Sequence, residues 1–189
     1  MKNASELLDS LIKDARQKYN INIYTKKRYY RFWKFLAVLF KIVTFGKAGD
    51  FLKNYTITFG TSIYFPLDWD FKTDAALSYT ILRHELVHVV QYRKLGLGCV
   101  PLGVAVFLLL YCLVPIPICF AWFRYRLERS AYLETCKARR YIGLPLNIDY
   151  YVDSLSGPRY LWTWVLKKQI KKWFYRKLST LPKEPPSAR

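Results

Sequence analysis

The sequence LRHELVHVVQ, residues 82–91, contains both histidines of this chain of 189 residues. His84 and His88 are four residues apart, so on an α-helix they lie on one face, one turn from each other. Two imidazoles at this spacing can bind one divalent ion, and Glu85 beside the first of them can take a proton from a water molecule on that ion. The stretch therefore predicts a helix that carries a metal site.

This order of residues is the HExxH pattern of zinc-dependent peptidases. The plain alternative is an amphipathic helix on which two histidines stand by chance. Chance is disfavoured because the chain has only two histidines and both fall within the pattern. We expect the helix to span residues 75–95, since Gly96 and Gly98 follow it and are typical of a helix C-terminus.

A zinc ion held by two histidines needs at least one further protein ligand and keeps one position open for water. The chain has no third histidine, and its cysteines lack metal-binding spacing. The remaining ligand type is a carboxylate from a second helix, which we expect over residues 118–141 and which Gly143 and Pro145 would end. Glu128 and Glu134 are both candidates, and each could instead be a surface glutamate paired with an arginine.

The segments before the histidines predict two helices and a hairpin. Residues 5–19 have the apolar spacing of an amphipathic helix, with Ser5 as its N-cap. Residues 30–45 fit a helix with a wide apolar face and a basic edge, which packs into the core or lies in a membrane interface. Two β-rich segments, 55–59 and 63–66, flank a glycine turn, and the exposed edge of such a hairpin can hold an extended peptide.

Residues 95–123 carry no charge. The run is long enough to cross a bilayer, which takes about 20 apolar residues. Pro115 and Pro117 divide it, however, into a helical piece over 102–114 and a second start at Ile118. A single crossing would put the histidines and the candidate glutamates on opposite sides of a membrane. We therefore predict a helical hairpin that returns to the same side, either dipping into lipid or buried in protein.

The chain carries 31 lysines and arginines against 13 acidic residues, a formal net charge of +18. This balance favours an anionic partner, either nucleic acid or an anionic membrane surface, although a solvated basic surface is the plain alternative. Two segments in which lysines and aromatic residues alternate, 29–41 and 160–177, would contact that partner. The polar N-terminus lacks the pattern of a secretory signal, so we expect a cytoplasmic or membrane-associated protein.

Together these patterns predict one α+β domain that is mostly helical, with a small β-hairpin, an active-site helix, an apolar helical hairpin and a glutamate helix. The expected divisions are a basic and aromatic N-terminal segment (1–50), a core (51–145) with an apolar insert (95–123), a basic aromatic C-terminal region (146–181) and a disordered tail (182–189). Within the C-terminal region we expect a loop over 147–157. Free, buried thiols are expected at Cys99, Cys112, Cys119 and Cys136.

The chain resembles the small gluzincin-type zinc metallopeptidases found in bacteria and their phages. The resemblance rests on residues 84–91 and on Glu128 followed by the Ala-Tyr pair 131–132. It covers residues 51–141, including the hairpin ahead of the histidine helix. It implies a zincin-like fold of the minimal gluzincin kind, a bound zinc ion, Glu85 as general base and Glu128 as the third ligand beside the two histidines.

The activity expected from this resemblance is hydrolysis of peptide bonds in a peptide or protein substrate. The reaction needs a donor for the developing oxyanion. Tyr132, one turn from Glu128, and Tyr92 are candidates, although packing is the plainer role for a tyrosine in a chain with 16 of them. The alternative is a non-catalytic protein that keeps the fold and associates with a membrane or nucleic acid, for example in a phage particle. The intact Glu85 favours the enzyme, because a structural metal site has no need of it.

Overall fold

The structure is a computed structural model that describes residues 3–47, 49–112, 121–157 and 166–180. It is mostly helical with a small three-stranded sheet, which confirms the predicted α+β class. The elements in chain order are α1 (Ala4–Tyr19), β1 (Asn22–Thr25), α2 (Tyr30–Val43), α3 (Phe51–Asn54), β2 (Ile57–Phe59), β3 (Ser62–Phe65), α4 (Ala75–Leu95), α5 (Val100–Cys112), α6 (Ala121–Tyr141), α7 (Ile148–Ser156) and α8 (Lys167–Ser179).

Helix α4 lies at the centre, in contact with α1, α5, α6 and strand β2. Its bounds agree with the helix predicted over 75–95. After α4, Leu97 and Gly98 adopt left-handed backbone conformations, with φ of 51° and 93°, and the chain turns at once into α5. The two ends of this tight turn are held by a hydrogen bond from the Gly98 amide to the Arg93 carbonyl. The turn folds α5 back onto α4.

Glycine at position 103 lets α5 approach the backbone of α4. A Cβ atom on Gly103 would lie 1.7 Å from the carbonyl oxygen of Tyr92, a distance that no side chain allows. The ring of Phe107, one turn further along α5, then packs on the ring of Tyr92 with 4.6 Å between centroids. Close backbone contact at Gly103 thus brings the following turns of α5 against the histidine helix.

The sheet has the strand order β1-β3-β2. Strands β2 and β3 are antiparallel and joined by a turn at Gly60, which has a φ of 63°, so the predicted hairpin is confirmed. Strand β1 was not predicted; it pairs in parallel with β3, from Asn22 opposite Ser62 onward. Because β1 comes from the N-terminal segment, residues 1–50 and the core segment 51–145 contribute to one sheet.

One face of the sheet packs on α1 and α4. Ile63 and Phe65 of β3 are fully buried there, in a cluster that includes Leu8 of α1 and Leu82 of α4. The opposite face is covered by α2, whose Trp33 ring lies 4.8 Å from the ring of Tyr64. The sheet is therefore a middle layer between the histidine helix and α2.

The predicted ends of two N-terminal helices need correction. Helix α1 begins at Ala4, and its N-cap is Asn3 rather than Ser5, because the Asn3 side chain accepts a hydrogen bond from the Ser5 amide. Asparagine and serine are both favoured N-caps, so the sequence alone could not decide which of Asn3 and Ser5 caps the helix. Helix α2 begins as predicted but ends at Val43, and Phe45 beyond it has a φ of 52°.

Helices α5 and α6 pack against α4 and against each other, as the predicted apolar hairpin requires. Helix α5 is described over 100–112 and begins two residues before the predicted start at 102. The second start predicted at Ile118 lies outside the described residues, which resume with α6 at 121. The connection with Pro115 and Pro117 lies outside the described residues. In the described part of the chain no single helix passes the length and hydropathy test for a membrane span, whereas α4 and α5, bent by 104°, pass it only as a pair.

The loop predicted over 147–157 is wrong, because this segment forms helix α7. The Asn147 side chain caps it by accepting a hydrogen bond from the Tyr150 amide at 3.1 Å. Helix α7 buries Tyr151, Val152 and Leu155 between α6 and α8. Polar residues at the remaining positions suggested a loop, whereas the apolar spacing of 148, 151, 152 and 155 is that of a short helix.

Two further expectations concern the cysteines and the chain end. Cys136 is buried as predicted, and burial raises the pKa of its thiol to about 12. Cys99 is exposed, which contradicts the prediction, because it lies in the turn between α4 and α5 rather than inside a helix. The Cys112 side chain, Cys119 and the tail 182–189 lie outside the described residues.

Candidate metal centre

Three predicted ligands come together between α4 and α6. The Nε2 atoms of His84 and His88 are 3.3 Å apart. Oε2 of Glu128 lies 3.5 Å from Nε2 of His84, and Oε1 lies 3.6 Å from Nε2 of His88. Ligand atoms about 2.0–2.1 Å from a tetrahedral zinc ion are separated by about 3.3 Å. The three side chains are buried, and their spacing means that they could bind one metal ion.

The ring of His88 is oriented by Gln91. Nε2 of Gln91 donates to the carbonyl of Leu127 at 3.0 Å and to Oγ of Ser130 at 2.9 Å. A carbonyl can only accept, so this contact identifies the NH₂ end of the amide. Oε1 of Gln91 therefore faces Nδ1 of His88, at 2.9 Å, and that nitrogen must carry the proton. Nε2 of His88 is left with its lone pair directed to the centre.

Thr135 orients the ring of His84 in the same way, through a contact to its Nδ1 atom. The Thr135 hydroxyl donates to the carbonyl of Ala131, so its oxygen is free to accept from Nδ1 of His84 at 3.2 Å. Nε2 of His84 then also presents a lone pair. Two lone pairs 3.3 Å apart repel each other unless a proton or a cation lies between them.

The third side chain adds negative charge at the same point. Oε2 of Glu128 is buried, and among the described residues nothing donates a hydrogen bond to it. A buried carboxylate oxygen without a donor is costly. The two imidazole lone pairs and this oxygen therefore all require positive charge at one position, which a divalent cation supplies.

Two of the three residues, His84 and Glu128, have a shifted pKa. Burial disfavours the charged form of His84, but its interaction with Glu128 and the charge of Glu85 outweigh burial and raise the pKa of His84. Burial likewise acts against the charged form of Glu128, but the neighbouring His88 and His84 lower the pKa of Glu128 overall. The site favours an ionised carboxylate beside positive charge, whether that charge is a proton or a metal ion.

A second contact to Glu128 comes from the uncharged run. The hydroxyl of Tyr111, on α5, donates a hydrogen bond to Oε1 of Glu128 at 2.8 Å. Burial, and next the charge of Glu128, raise the pKa of Tyr111 well above its ordinary value, so the hydroxyl stays a donor. Sequence reasoning missed this residue. The available signal was that Tyr111 is the one hydroxyl-bearing residue within residues 95–123.

Glu85 is buried on the strand side of the centre. Its Oε2 accepts a hydrogen bond from the Thr58 hydroxyl at 2.7 Å, so edge strand β2 contacts the proposed general base directly. Glu85 and His84 line a cleft of about 690 Å³ together with Tyr55, Thr56, Tyr132 and Tyr151. The predicted general base is therefore next to a space that a substrate can occupy.

The two tyrosine candidates for the oxyanion donor have different surroundings. The Tyr132 ring packs edge-on against His84, with 4.8 Å between centroids, and lines the cleft. Tyr92 is buried, and its hydroxyl donates to the carbonyl of Thr58 at 2.7 Å. Through this hydrogen bond Tyr92 holds strand β2 in place. The same bond also occupies one of the two lone pairs of the Thr58 carbonyl.

Glu134, the other candidate ligand, lies away from the centre. It accepts a hydrogen bond from Arg83 at 3.0 Å and forms an ion pair with Lys137 on its own helix. Glu134 is six positions after Glu128, which puts them about 240° apart around the helix at about 100° per residue. Only Glu128 therefore belongs to the cluster.

A buried lysine next to the cleft was also missed. Lys26 is fully buried, and its Nζ donates to the carbonyls of Phe51 and Tyr55, the second at 2.7 Å. Burial lowers the pKa of Lys26 to about 7, although the charges of Glu85 and Asp50 oppose the shift. Lys26 thus holds the segment that leads into β2. Tyr55 of this segment lines the cleft. Nothing in the local sequence distinguishes Lys26 from the exposed basic residues around it.

Comparisons with protein-family models, with curated proteins and with solved structures found no match for this chain. The function is therefore inferred from the geometry and chemistry of the site.

Proposed function

We propose that the protein is a zinc-dependent metallopeptidase of the gluzincin type, in which His84, His88 and Glu128 hold one zinc ion. The observation that carries the proposal is the convergence of two imidazole nitrogens and a buried carboxylate on one point. Two imidazoles and one carboxylate suit zinc and similar transition metals, whereas calcium and magnesium prefer oxygen ligands. Three protein ligands with a further open position are typical of catalytic zinc sites.

Glu85 is proposed as the general base. When bound, the zinc ion supplies Lewis acidity and lowers the pKa of water at the site. The Glu85 carboxylate takes a proton from the attacking water and returns it to the leaving amine. The hydrogen bond from Thr58 holds Oε2 and with it the plane of the carboxylate. Tyr132, beside His84 and on the cleft, is proposed as the oxyanion donor.

The substrate is proposed to be an extended segment of a peptide or protein. The cleft is lined by Tyr55 and Thr56, which lead into the edge strand, and by Tyr150 and Tyr151 from α7. Tyr92 already donates to the Thr58 carbonyl, so main-chain pairing with a peptide is proposed for the residues before Thr58. Aromatic side chains on the opposite wall supply apolar contacts for substrate side chains.

A non-catalytic role for the metal is the second candidate, and the low exposure of the ligands favours it. Glu128 and His88 have only 3% and 6% of their surface exposed. Against this, His84 and Glu85 line the cleft, so one side of the cluster faces space that substrate can enter. A structural site also needs no general base, whereas Glu85 stands beside the cluster on the cleft.

Metal analysis of the purified protein tests the ligand set. We expect about one zinc per chain in the wild type, and none in His88→Ala or Glu128→Ala. Glu134→Ala is the matched control, because it removes a glutamate from the same helix without touching the cluster, and it should keep the metal. Absence of zinc from the wild type after growth with added zinc, or loss of zinc only in Glu134→Ala, contradicts the proposal.

Glu85→Gln separates catalysis from metal binding. The amide cannot accept a proton but keeps the size of the side chain and can still accept the Thr58 hydrogen bond. We expect a variant with full zinc content that no longer hydrolyses a mixed library of fluorogenic peptides cleaved by the wild type. Equal rates in variant and wild type would remove Glu85 from the mechanism. A wild type that binds zinc but cleaves no peptide or protein supports the structural alternative.

A further inference from the structure

Helix α2 is apolar on two opposite faces, and only one of them is covered. The inner face packs on strand β3 through Trp33 and on the segment before β2 through Phe40, whose ring lies 5.2 Å from the rings of both Phe51 and Tyr55. The outer face carries large apolar side chains that are exposed in the described structure. These are Phe32, Phe35, Val38, Leu39 and Ile42, continued by Phe45 just beyond the helix.

The exposed residues form one continuous stripe. Phe35 and Ile42 are two turns apart on the same side of the helix, about 200° from the buried Trp33 at about 100° per residue. Their exposed fractions are 67% and 66%, and that of Phe45 is 82%. An apolar stripe of this kind is uncommon on a surface that meets only water, and such patches mark sites of association.

The charges around the stripe are positive. Arg31, Lys34 and Lys41 are exposed on α2 itself, and Lys34 and Lys41 lie along one edge of the stripe. No acidic residue occurs between Asp14 and Asp50 in the sequence. Lys27, before the helix, pairs with Asp68 across 3.7 Å, but both side chains are largely exposed. The surface that meets this stripe must therefore combine apolar and anionic character.

An anionic lipid bilayer has both properties, and other occupants fit less well. A second copy of the chain would bring one net charge of +18 against another. Nucleic acid could stack on Phe32 and Phe35, but the aliphatic Val38, Leu39 and Ile42 beside them neither stack on bases nor pair with phosphates. Amphipathic helices that lie in a membrane interface have such an apolar face with lysine or arginine beside it.

We propose that the outer face of α2 docks on an anionic membrane surface. Phe35, Ile42 and Phe45 enter the boundary between headgroups and acyl chains, and Lys34 and Lys41 meet the lipid phosphates. The helix lies in the plane of the interface and does not cross the membrane. The proposal is independent of the metal centre, because none of these side chains contributes to it.

Vesicle flotation of the full chain tests the proposal. One set of vesicles contains phosphatidylcholine alone, and the other an equimolar mixture with phosphatidylglycerol. We expect the wild type to float with the anionic vesicles at low salt. The double variant Phe35→Ser with Ile42→Ser should bind these vesicles with an affinity lower by about tenfold or more. Both substituted residues are exposed, so the variant should keep its circular dichroism spectrum.

A matched control changes exposed apolar residues elsewhere on a basic helix. Leu166→Ser with Tyr175→Ser removes two exposed side chains, one at the N-cap of the lysine-rich α8 and one within it. Since the proposal assigns docking to α2 and not to the predicted contact segment 160–177, this variant should leave flotation unchanged. Lys34→Glu with Lys41→Glu keeps the apolar stripe, and should lose binding to the anionic vesicles. This second variant decides the question if the serine variant does not fold.

Several outcomes would overturn the proposal. Wild-type protein that stays at the bottom of the gradient with anionic vesicles is one, and equal loss of binding in the α8 control is another. A dimer in size-exclusion chromatography that the serine variant abolishes, without any vesicle binding, would make a second copy the occupant. Binding to an oligonucleotide that requires Phe35 and Ile42, again without vesicle binding, would assign the face to nucleic acid.

Discussion

The hydroxyl of Tyr111 donates a 2.8 Å hydrogen bond to Oε1 of Glu128, so the uncharged run of the chain reaches the candidate metal centre. The same turn of α5 is held from α6, because Nε of Arg124 donates to the carbonyl of Tyr111 at 3.0 Å. Helix α5 is therefore both a packing partner of the histidine helix and a support for Glu128, the proposed third ligand. Changes in α5 should alter metal binding as well as stability.

Replacing Tyr111 with phenylalanine should weaken zinc binding by about tenfold, the lower end of the effect seen when a metal ligand loses a supporting hydrogen bond. The ring remains, so its stacking on Phe107 is kept. Competition with a chromophoric chelator measures the dissociation constant. Tyr175→Phe, at an exposed tyrosine of α8, should leave that constant unchanged. An unchanged constant in Tyr111→Phe would show that the hydrogen bond does not support the ligand.

Gln91→Leu should weaken zinc binding by about 10–100-fold. The substitution keeps the approximate size of the side chain but removes the acceptor that holds the proton on Nδ1 of His88. The ring can then change its tautomer and turn its lone pair away from the centre. The same chelator competition measures the effect, with Gln17→Leu on the exposed side of α1 as the control. Equal affinities in the two variants would contradict the proposed orienting role.

Gly103→Ala should destabilise the protein, although alanine normally favours a helix over glycine by about 1 kcal/mol. The added Cβ would lie 1.7 Å from the Tyr92 carbonyl oxygen, so α5 must move away from α4. Overpacking of this kind costs about 1–3 kcal/mol, and sometimes more. Urea unfolding gives the change, with the exposed Leu102→Ala as the control. A variant that is more stable than the wild type would contradict the close helix contact.

Lys26→Met should remove a pH dependence of stability. The pKa of Lys26 is lowered to about 7 in the folded protein, from 10.5. Between these values the unfolded chain holds more protons, so the free energy of unfolding rises with pH, by about 2 kcal/mol at most from pH 7 to 9. Below about pH 7 the cost of the buried charge is fully present.

Urea unfolding at several pH values between about 7 and 9, with chelator present, measures this slope. We expect a flatter slope in Lys26→Met than in the wild type, and an unchanged slope in the exposed control Lys53→Met. The same slope in Lys26→Met and in the wild type would mean that Lys26 does not titrate in this range.

The features that the sequence determined depend on residues close together in the chain. The bounds of α4 follow from its apolar pattern and the glycines after it, and the common face of His84 and His88 follows from their spacing of four. The β2–β3 hairpin follows from two β-rich segments around Gly60. In each case the decisive interactions lie within one helix or one tight turn, so residue type and spacing were sufficient.

The choice of partners was made by tertiary structure. Glu128 and Glu134 are the same residue type on one helix, and only the packing of α6 on α4 turns Glu128 to the histidines and leaves Glu134 to Arg83. Strand β1 exists because its four residues pair with β3, which lies about 40 positions away in the sequence. Tyr111 contacts Glu128, and Lys26 is buried, because segments distant in the chain meet there, and such non-local packing leaves no periodic signal in the sequence.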